Sequence, residues 1–450
     1  MNIYALTIQN HGENTVWLPS TAPLSGQTDI AFGSVSTSCQ IVSSSALNNE
    51  IIITKDVAER LRIPFANRIH LFLDEDTIYI GPLIGIFTAG FTKSSIRPIG
   101  KRSFFFAKLL SNEKKVGGFA FVFGAHHIHW DKGTVTGYFY TKTGWEQHEI
   151  PFPNVIYNRL PNRRTENETM FQEIKQKLKT EYFIPWFNEN FFNKWDIYCL
   201  LQQHPLARAY LPDTASPPTI EAAQQFLDEY QQIYIKPANG SLGLGIYQLI
   251  QRNNSYYCRF RDHQGCNRLQ KFPTLSDLWG KLLADKNMEL YILQQGIPLI
   301  EVNGRKVDFR IHTNKDEHGI WQVSAIAAKI AGKGSVTTHI NNGGIVKTVE
   351  EVFPKKEEQT KMTERLQHAA LTLSRCLEEQ LDMMIGEIGF DIGIDQQNNL
   401  WLFEANSKPG RSIFKHPKLK QYDELTTVLS LEYAVYLSKQ MITAPEALLT

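Results

Sequence analysis

Apolar residues open the chain in short runs, each stopped by Gly, Pro, Asn or Asp: "QIVSSS", "EIIITK", "IHLFLDED" and "TIYIGPLIGIFT". Runs of this length and spacing predict strands, so residues 1–100 read as an N-terminal β-rich domain of mixed or barrel-like topology. One stretch departs from the pattern, "KDVAERLRI", a short helix with Thr54 as its N-cap. Over 101–184 a helix is predicted at 102–113, followed by a strand in "GGFAFVFG" after paired glycines, giving a small α/β unit. The charged "RRTENETMFQEIKQKLKTE" mixes both signs, which predicts a helix with a solvated face rather than a nucleic-acid patch. Residues 185–450 form a longer α/β region. Its clearest helix is "EEQTKMTERLQHAALTLSRCLEEQL", where Met362, Leu366, Ala369, Leu373 and Leu377 recur at helical spacing.

With 450 residues there is room for two to four domains, each able to bury a core. Lys and Arg total 47 against 46 Asp and Glu, so no global field selects nucleic acid or an anionic membrane as partner. The five cysteines form no C-x-x-C pair, which argues against a disulfide framework or a zinc ribbon. The N-terminal "MNIYALTIQNHGENTVWLPS" lacks a basic segment followed by an apolar one, and no run of about 18 apolar residues occurs. A soluble cytoplasmic protein is the expectation, and a small polar substrate remains open.

"YIKPANGSLGLGIYQLI", residues 234–250, places Lys236 before Gly240, Gly243 and Gly245. The order is neither G-x-x-x-x-G-K-[ST] nor G-x-G-x-x-G, and both of those loops lead from a strand into a helix. Here "QQIYIKP" precedes, and "GIYQLIQ" and "SYYCRFR" follow, all reading as strands. The glycines therefore tip a hairpin. Such a hairpin folds over phosphates, with Lys236 as a point charge, or is an ordinary turn.

"EIGFDIGIDQQNNLWLFEANSKPGR", residues 387–411, reads as two strands joined at "QQNN" and paired antiparallel. Asp391 on one strand and Glu404 with Asn406 on the other then converge, the last two on one face because they are two apart. Two carboxylates and an amide oxygen suit Mg²⁺, which completes its shell with water and phosphate oxygens; the alternative is an exposed hairpin with scattered acids. "LYILQQGI" predicts a strand whose end offers backbone groups to a base edge, and "VDFRIHT" sets Asp308 and Arg310 on one face, as a phosphate clamp or a structural ion pair. "AAKIAGKGSVTTHINNGGIV" carries Lys329, Lys333 and Asn342 toward a polar loop. His126, His127 and His129 lack the i,i+4 spacing of a helical zinc site.

A strand lysine with a glycine hairpin, a Q-Q-x-I strand, a D-x-R strand, an N-x-G-G loop and D…E-x-N-x-x-P-G follow one another in the order seen in the ATP-grasp superfamily. More closely, "NKWDIYCLLQQHPLARAYLPDT", "YIKPANGSLGLGIY", "YILQQGI", "VDFRIH" and "FEANSKPGRS" resemble the YheC/YheD family of endospore coat-associated proteins. The superfamily resemblance spans about 185–445. It implies an ATP-grasp domain at 185–450, two α+β lobes enclosing a nucleotide, preceded by a small α/β unit at 101–184 and the β-rich domain at 1–100.

By position, the resemblance implies that Lys194 and Lys236 are nucleotide lysines, that Gly240, Ser241, Gly243 and Gly245 form the flap, and that Gln294, Gln295 and Ile297 form the adenine hinge. Asn342 joins the nucleotide set, Arg310 and Lys329 are catalytic on the phosphate side, and Asp391, Glu404 and Asn406 hold Mg²⁺; Asp308 is left out of the metal set. Lys329 stands where relatives often have Arg, and His339 where Asn is common. The implied activity is an ADP-forming carboxylate–amine ligase using ATP and Mg²⁺ through an acyl phosphate, with a peptide or amino-acid-like substrate and a spore-coat association. The alternatives are a phosphotransferase of the same fold, or a coat-associated structural protein with a nucleotide site. Tyr157, Asn158, Arg159, Lys408 and Arg411 are the expected substrate contacts, or else surface residues at a domain seam.

Overall fold

The computed structural model describes residues 2–22, 26–74, 76–240 and 243–449. Among the described residues four sheets follow one another along the chain. The first has eight strands between Tyr4 and Gly81. Its Tyr4–Gln9 strand runs parallel to Glu50–Thr54 and antiparallel to Arg68–Asp74. The Lys55–Arg60 helix follows, but Thr54 does not cap it through its side chain: the hydroxyl instead accepts from the Thr15 amide at 3.2 Å.

The Leu83–Phe87 strand, which the sequence pattern groups with the N-terminal section, runs in the second sheet. It lies parallel to both Phe119–Phe123 and Val155–Asn158. All five residues of Phe119–Phe123 are buried, as an unbroken apolar run in a parallel sheet requires. The predicted 102–113 helix is divided into a Gly100–Arg102 turn, Ser103–Leu110 and Glu113–Val116. Phe119 and Phe121 join Leu6, Val16, Ile51 and Val57 in one core, so the first two sheets pack as a unit.

The third sheet carries the glycine hairpin: Gln232–Pro237 pairs antiparallel with both Tyr247–Arg252 and Tyr291–Gln295. The fourth is built on Arg305–Lys315, flanked by Trp321–Ile330 and Glu387–Ile394, with Leu400–Asn406 beyond. The Lys356–Gln380 helix packs Met362, Leu366, Ala369, Leu373 and Leu377 onto this sheet. The chain closes with Lys420–Thr443, a helix whose Thr426, Leu429, Tyr433 and Leu437 are buried and which joins the second sheet to the fourth. Tyr433 meets Phe187 edge-on at 5.3 Å. Among the described residues no helix is long and apolar enough to cross a membrane.

Candidate nucleotide and metal site

A cavity opens where the third and fourth sheets face each other. Tyr234 and Lys236 reach it from one strand face, being two residues apart, and Gln294, Gln295, Ile297 and Leu299 line it along the adjoining strand and its exit. Lys194 enters from the first turn of the Lys194–Gln203 helix, whose N-cap Asn193 accepts from the Trp195 amide at 2.8 Å. From the opposite wall come Asp308, Lys329, Asp391, Phe403 and Glu404. Two loops close the mouth: Gly240, Gly243 and Leu244 of the hairpin, and Ser335–His339. Gly243 and Gly245 adopt φ of +68° and +70°, a region glycine occupies without steric cost, which allows this tight turn. Ser241 lies outside the described residues.

The two carboxylates meet through strand register, since Asp391 and Glu404 are Cα partners in the antiparallel pair. Immediately past them the register slips, Ile392 pairing with Leu402, so Phe403 is the extra residue of a bulge. The bulge turns Phe403 to the cavity, where its carbonyl accepts from Lys236 Nζ at 3.2 Å. Lys236 also donates to Gln294 Oε1 at 2.7 Å. Burial, with Lys194 nearby, lowers the Lys236 amine to about 8.

The acidic wall is already charge-paired. Asp391 Oδ1 receives Lys329 Nζ at 2.8 Å and Arg310 Nε at 2.9 Å, and Asp391 Oδ2 receives Arg310 Nη2 at 3.0 Å. Lys329 also lies 3.1 Å from Asp308 Oδ1, while Thr338 donates to the other oxygen of Asp308. Lys194 sits 3.2 Å from Glu404 Oε1 and donates to the Gly240 carbonyl at 2.7 Å, tying the hairpin to the acidic wall. Burial raises the Asp308 carboxyl above its ordinary range. Burial acts in the same direction on Asp391, but Arg310 and Lys329 outweigh it and hold that carboxyl low. Lys329, between the two acids, is raised despite its burial.

Gly240, Gly243, Gln294, Gln295, Ile297, Lys194, Lys236, Lys329, Asp391 and Glu404 are thus gathered around one cavity. Arg310 stands behind Asp391 rather than at the cavity surface, and Asn406 lies two residues beyond Glu404, opposite Gly389 and outside the lining. Asn342 is buried beside the hairpin; its Nδ2 donates to Thr337 Oγ1 at 2.9 Å and its Oδ1 accepts from Arg261. Sequence reasoning did not reach Tyr234, Lys306, Leu299, Thr337 or Thr338, and set Asp308 aside. Tyr234 had a signal, the two-residue spacing from Lys236; the threonines are placed by a loop with no pattern of its own.

The expected substrate contacts Tyr157, Asn158, Arg159, Lys408 and Arg411 stand outside the cavity lining, each with a partner within the fold. Tyr157 OH donates to Glu387 Oε1 at 2.5 Å, and Arg159 pairs with the same oxygen. Asn158 Nδ2 donates to the Glu189 carbonyl at 2.6 Å, and Lys408 is buried against Glu166. Tyr157, Asn158 and Lys408 are closed from solvent, and the contacts of Tyr157 and Arg159 with Glu387 and of Lys408 with Glu166 join the second sheet's unit to the fourth sheet's. Arg411 Nε donates to Asp423 Oδ1 at 2.8 Å.

Among the described residues no group of three or more His, Cys, Asp or Glu is arranged to hold a metal. The donors at the cavity are the facing pair Asp391 and Glu404, hard oxygen ligands that suit Mg²⁺ when phosphate and water oxygens complete its shell.

Two facing sheets of mixed α+β lobes, with lysines on one side and paired acids on the other, define an ATP-grasp fold. The chain belongs to the YheC/D-like ATP-grasp family, whose model matches residues 183–437. It is 43% identical over 445 residues to the endospore coat-associated protein YheD of Bacillus subtilis (strain 168), covering 99% of this chain and 98% of that one. YheC of the same organism is 23% identical over 292 residues, 63% of this chain and 78% of that one. Among solved structures, D-alanyl-alanine synthetase A of Vibrio cholerae aligns at a TM-score of 0.45 and 14% identity, covering 79% of this chain and 98% of that one. The ATP-grasp ligase PsnB, complexed with a minimal precursor, aligns at 0.43 and 12%, covering 78% and 99%.

Proposed function

We propose that the protein is a Mg²⁺- and ATP-dependent, ADP-forming ligase that joins a carboxylate to an amine on an amino-acid-like or peptide substrate, in association with the spore coat. The observation that supports this most is the single cavity in which Lys194 and Lys236 face Asp391 and Glu404. In this reading Tyr234, Ile297, Leu299 and Phe403 cover the base, and the backbone of Gln294–Ile297 reads its edge. Lys194, Lys236 and Lys329 face the phosphates, with Arg310 holding Asp391 in place. Asp391 and Glu404 hold Mg²⁺, with Asn406 next along the same strand face.

Mg²⁺, when bound, supplies neutralisation of charge on the phosphate oxygens. ATP supplies activation of the carboxylate as an acyl phosphate, which the amine converts to an amide with release of phosphate. The chain's own part is positioning and electrostatics, since fixed cations cost no reorganisation at the moment of reaction. The Gly243 hairpin and the 335–339 loop exclude water from the mouth, protecting an activated acyl group from hydrolysis. The coat association is carried over from the name of the Bacillus subtilis relative.

The test is ADP release and hydroxamate formation when the protein, Mg²⁺ and ATP are offered pooled carboxylates and peptides with hydroxylamine. Expected are both products, and neither with Glu404→Ala. Full turnover by Glu404→Ala would sink the reading, and phosphate retained on the product would replace it with phosphotransfer.

A further inference from the structure

The near-neutral total charge conceals a local imbalance. Residues 77–112 contain no Asp or Glu but carry Lys93, Arg97, Lys101, Arg102 and Lys108. Residues 405–422 likewise contain no acid and carry Lys408, Arg411, Lys415, Lys418 and Lys420. The two segments meet in the fold. Arg411 lies 5.6 Å from the Phe105 ring, and Lys108 and Arg411 both pair with Asp423. Lys93, Arg97, Lys101, Lys415 and Lys420 are exposed, and none has an ion-pair partner among the described residues. Two large apolar side chains stand among them in the first segment: Ile96 is 79% exposed and Phe104 83%. In a protein otherwise balanced in charge, unpaired cations around exposed apolar groups fit an acidic chain with apolar residues of its own.

This surface is tied to the strand that carries Asp391 by a short run of contacts. Arg102 donates to Thr88 Oγ1 at 2.8 Å and to the Arg159 carbonyl, just past the Val155–Asn158 strand. Arg159 lies 5.1 Å from the Phe105 ring and pairs with Glu387. Glu387 lies on the same strand face as Asp391, four residues away, or about 13 Å along the strand. Residues 93–104 are therefore coupled, through packed side chains, to the strand that carries Asp391.

We propose that this face docks the acceptor of the reaction proposed above, and that the acceptor is an acidic polypeptide segment, rich in Glu or Asp, rather than a free amino acid. The inference rests on that reading for what the cavity does, but the docking itself is measured without turnover. The probe is a fluorescein-labelled oligoglutamate peptide titrated with the full-length protein and followed by anisotropy at low and high salt. Wild type binds, and binding weakens as salt screens the exposed charges. The variant Lys93→Glu/Arg97→Glu/Lys101→Glu, confined to exposed side chains, binds about tenfold more weakly or worse, from three reversed charges each acting near a surface. Ile96→Ser/Phe104→Ser weakens binding even at high salt.

Absence of oligoglutamate binding by wild type, or equal binding by the triple variant, overturns the proposal. It is overturned equally if single-stranded DNA or anionic vesicles compete as well as the peptide, because the face then reads any polyanion. A Mg·ATP thermal shift on the same proteins keeps the two readings apart. Its loss in wild type would count against the nucleotide site, whereas its retention beside absent peptide binding would count against the docking face alone.

Discussion

Lys329 bridges the two buried acids of the cavity wall, and its removal has a calculable result. Its Nζ lies 2.8 Å from Asp391 and 3.1 Å from Asp308, and all three side chains are buried. Lys329→Met leaves Arg310 on Asp391 and Thr338 on Asp308, with no cation between the acids. Breaking one partner out of a buried pair costs about 3–5 kcal/mol. The cavity admits water on one side, which favours the lower end, about 3 kcal/mol. At about 2–4 °C per kcal/mol for a unit of this size, the lobe melts about 6–12 °C lower. The same change vacates a cation position between two carboxylates. Mn²⁺ without nucleotide therefore raises the melting point of Lys329→Met, by about 2.7 kcal/mol of stability when present at about 100 times its dissociation constant. It leaves wild type unmoved, because Lys329, Arg310 and Lys194 already hold the acids. Scanning calorimetry with and without Mn²⁺ reads both effects. A wild type stabilised by Mn²⁺ alone, or a Lys329→Met protein that melts with wild type, would refute the reasoning.

Three further outcomes are expected. Burial pushes the Glu113 carboxyl up to about 7, so the folded state binds its proton more tightly than the unfolded one. Its contribution to stability therefore falls by about 3 kcal/mol as pH rises from about 4.5 to 7, and the difference in urea-melt stability between wild type and Glu113→Gln should move by that amount in the variant's favour across that window. Lys236, lowered to about 8, loses its charge as pH rises from 7 to 9, so ATP affinity by calorimetry should fall over that range in wild type and stay level in Lys236→Met. Leu373→Ala, at a fully buried position of the Lys356–Gln380 helix, should cost about 2–5 kcal/mol in denaturant melts without altering the pH dependence of ATP binding.

Much of the site is written locally. Asp391 and Glu404 interrupt apolar strand runs on either side of a turn, so antiparallel pairing alone brings them together. The glycine hairpin is legible because strands on both sides exclude a helix-capping loop. What is not legible depends on two segments at once. The bulge that turns Phe403 to the cavity appears only in the register against Asp391 and Ile392. Lys329 as a bridge needs Asp308 and Asp391 on neighbouring strands. The Lys420–Thr443 helix is buried on several sides, so it lacks the single apolar stripe by which the Lys356–Gln380 helix announces itself. Tyr157 and Lys408 read as polar groups free for a ligand because their partners, Glu387 and Glu166, lie more than 200 residues away in sequence.

The central claim, a nucleotide held against Asp391 and Glu404 through a metal, is tested most directly by calorimetric titration of ATP into wild type and Glu404→Ala, with Mg²⁺ and then with a chelator. The account predicts tight binding by wild type that weakens at least about tenfold in Glu404→Ala with Mg²⁺ present, and a difference that disappears when the metal is removed. Equal affinity of the two proteins in Mg²⁺, or no binding by wild type, would contradict it.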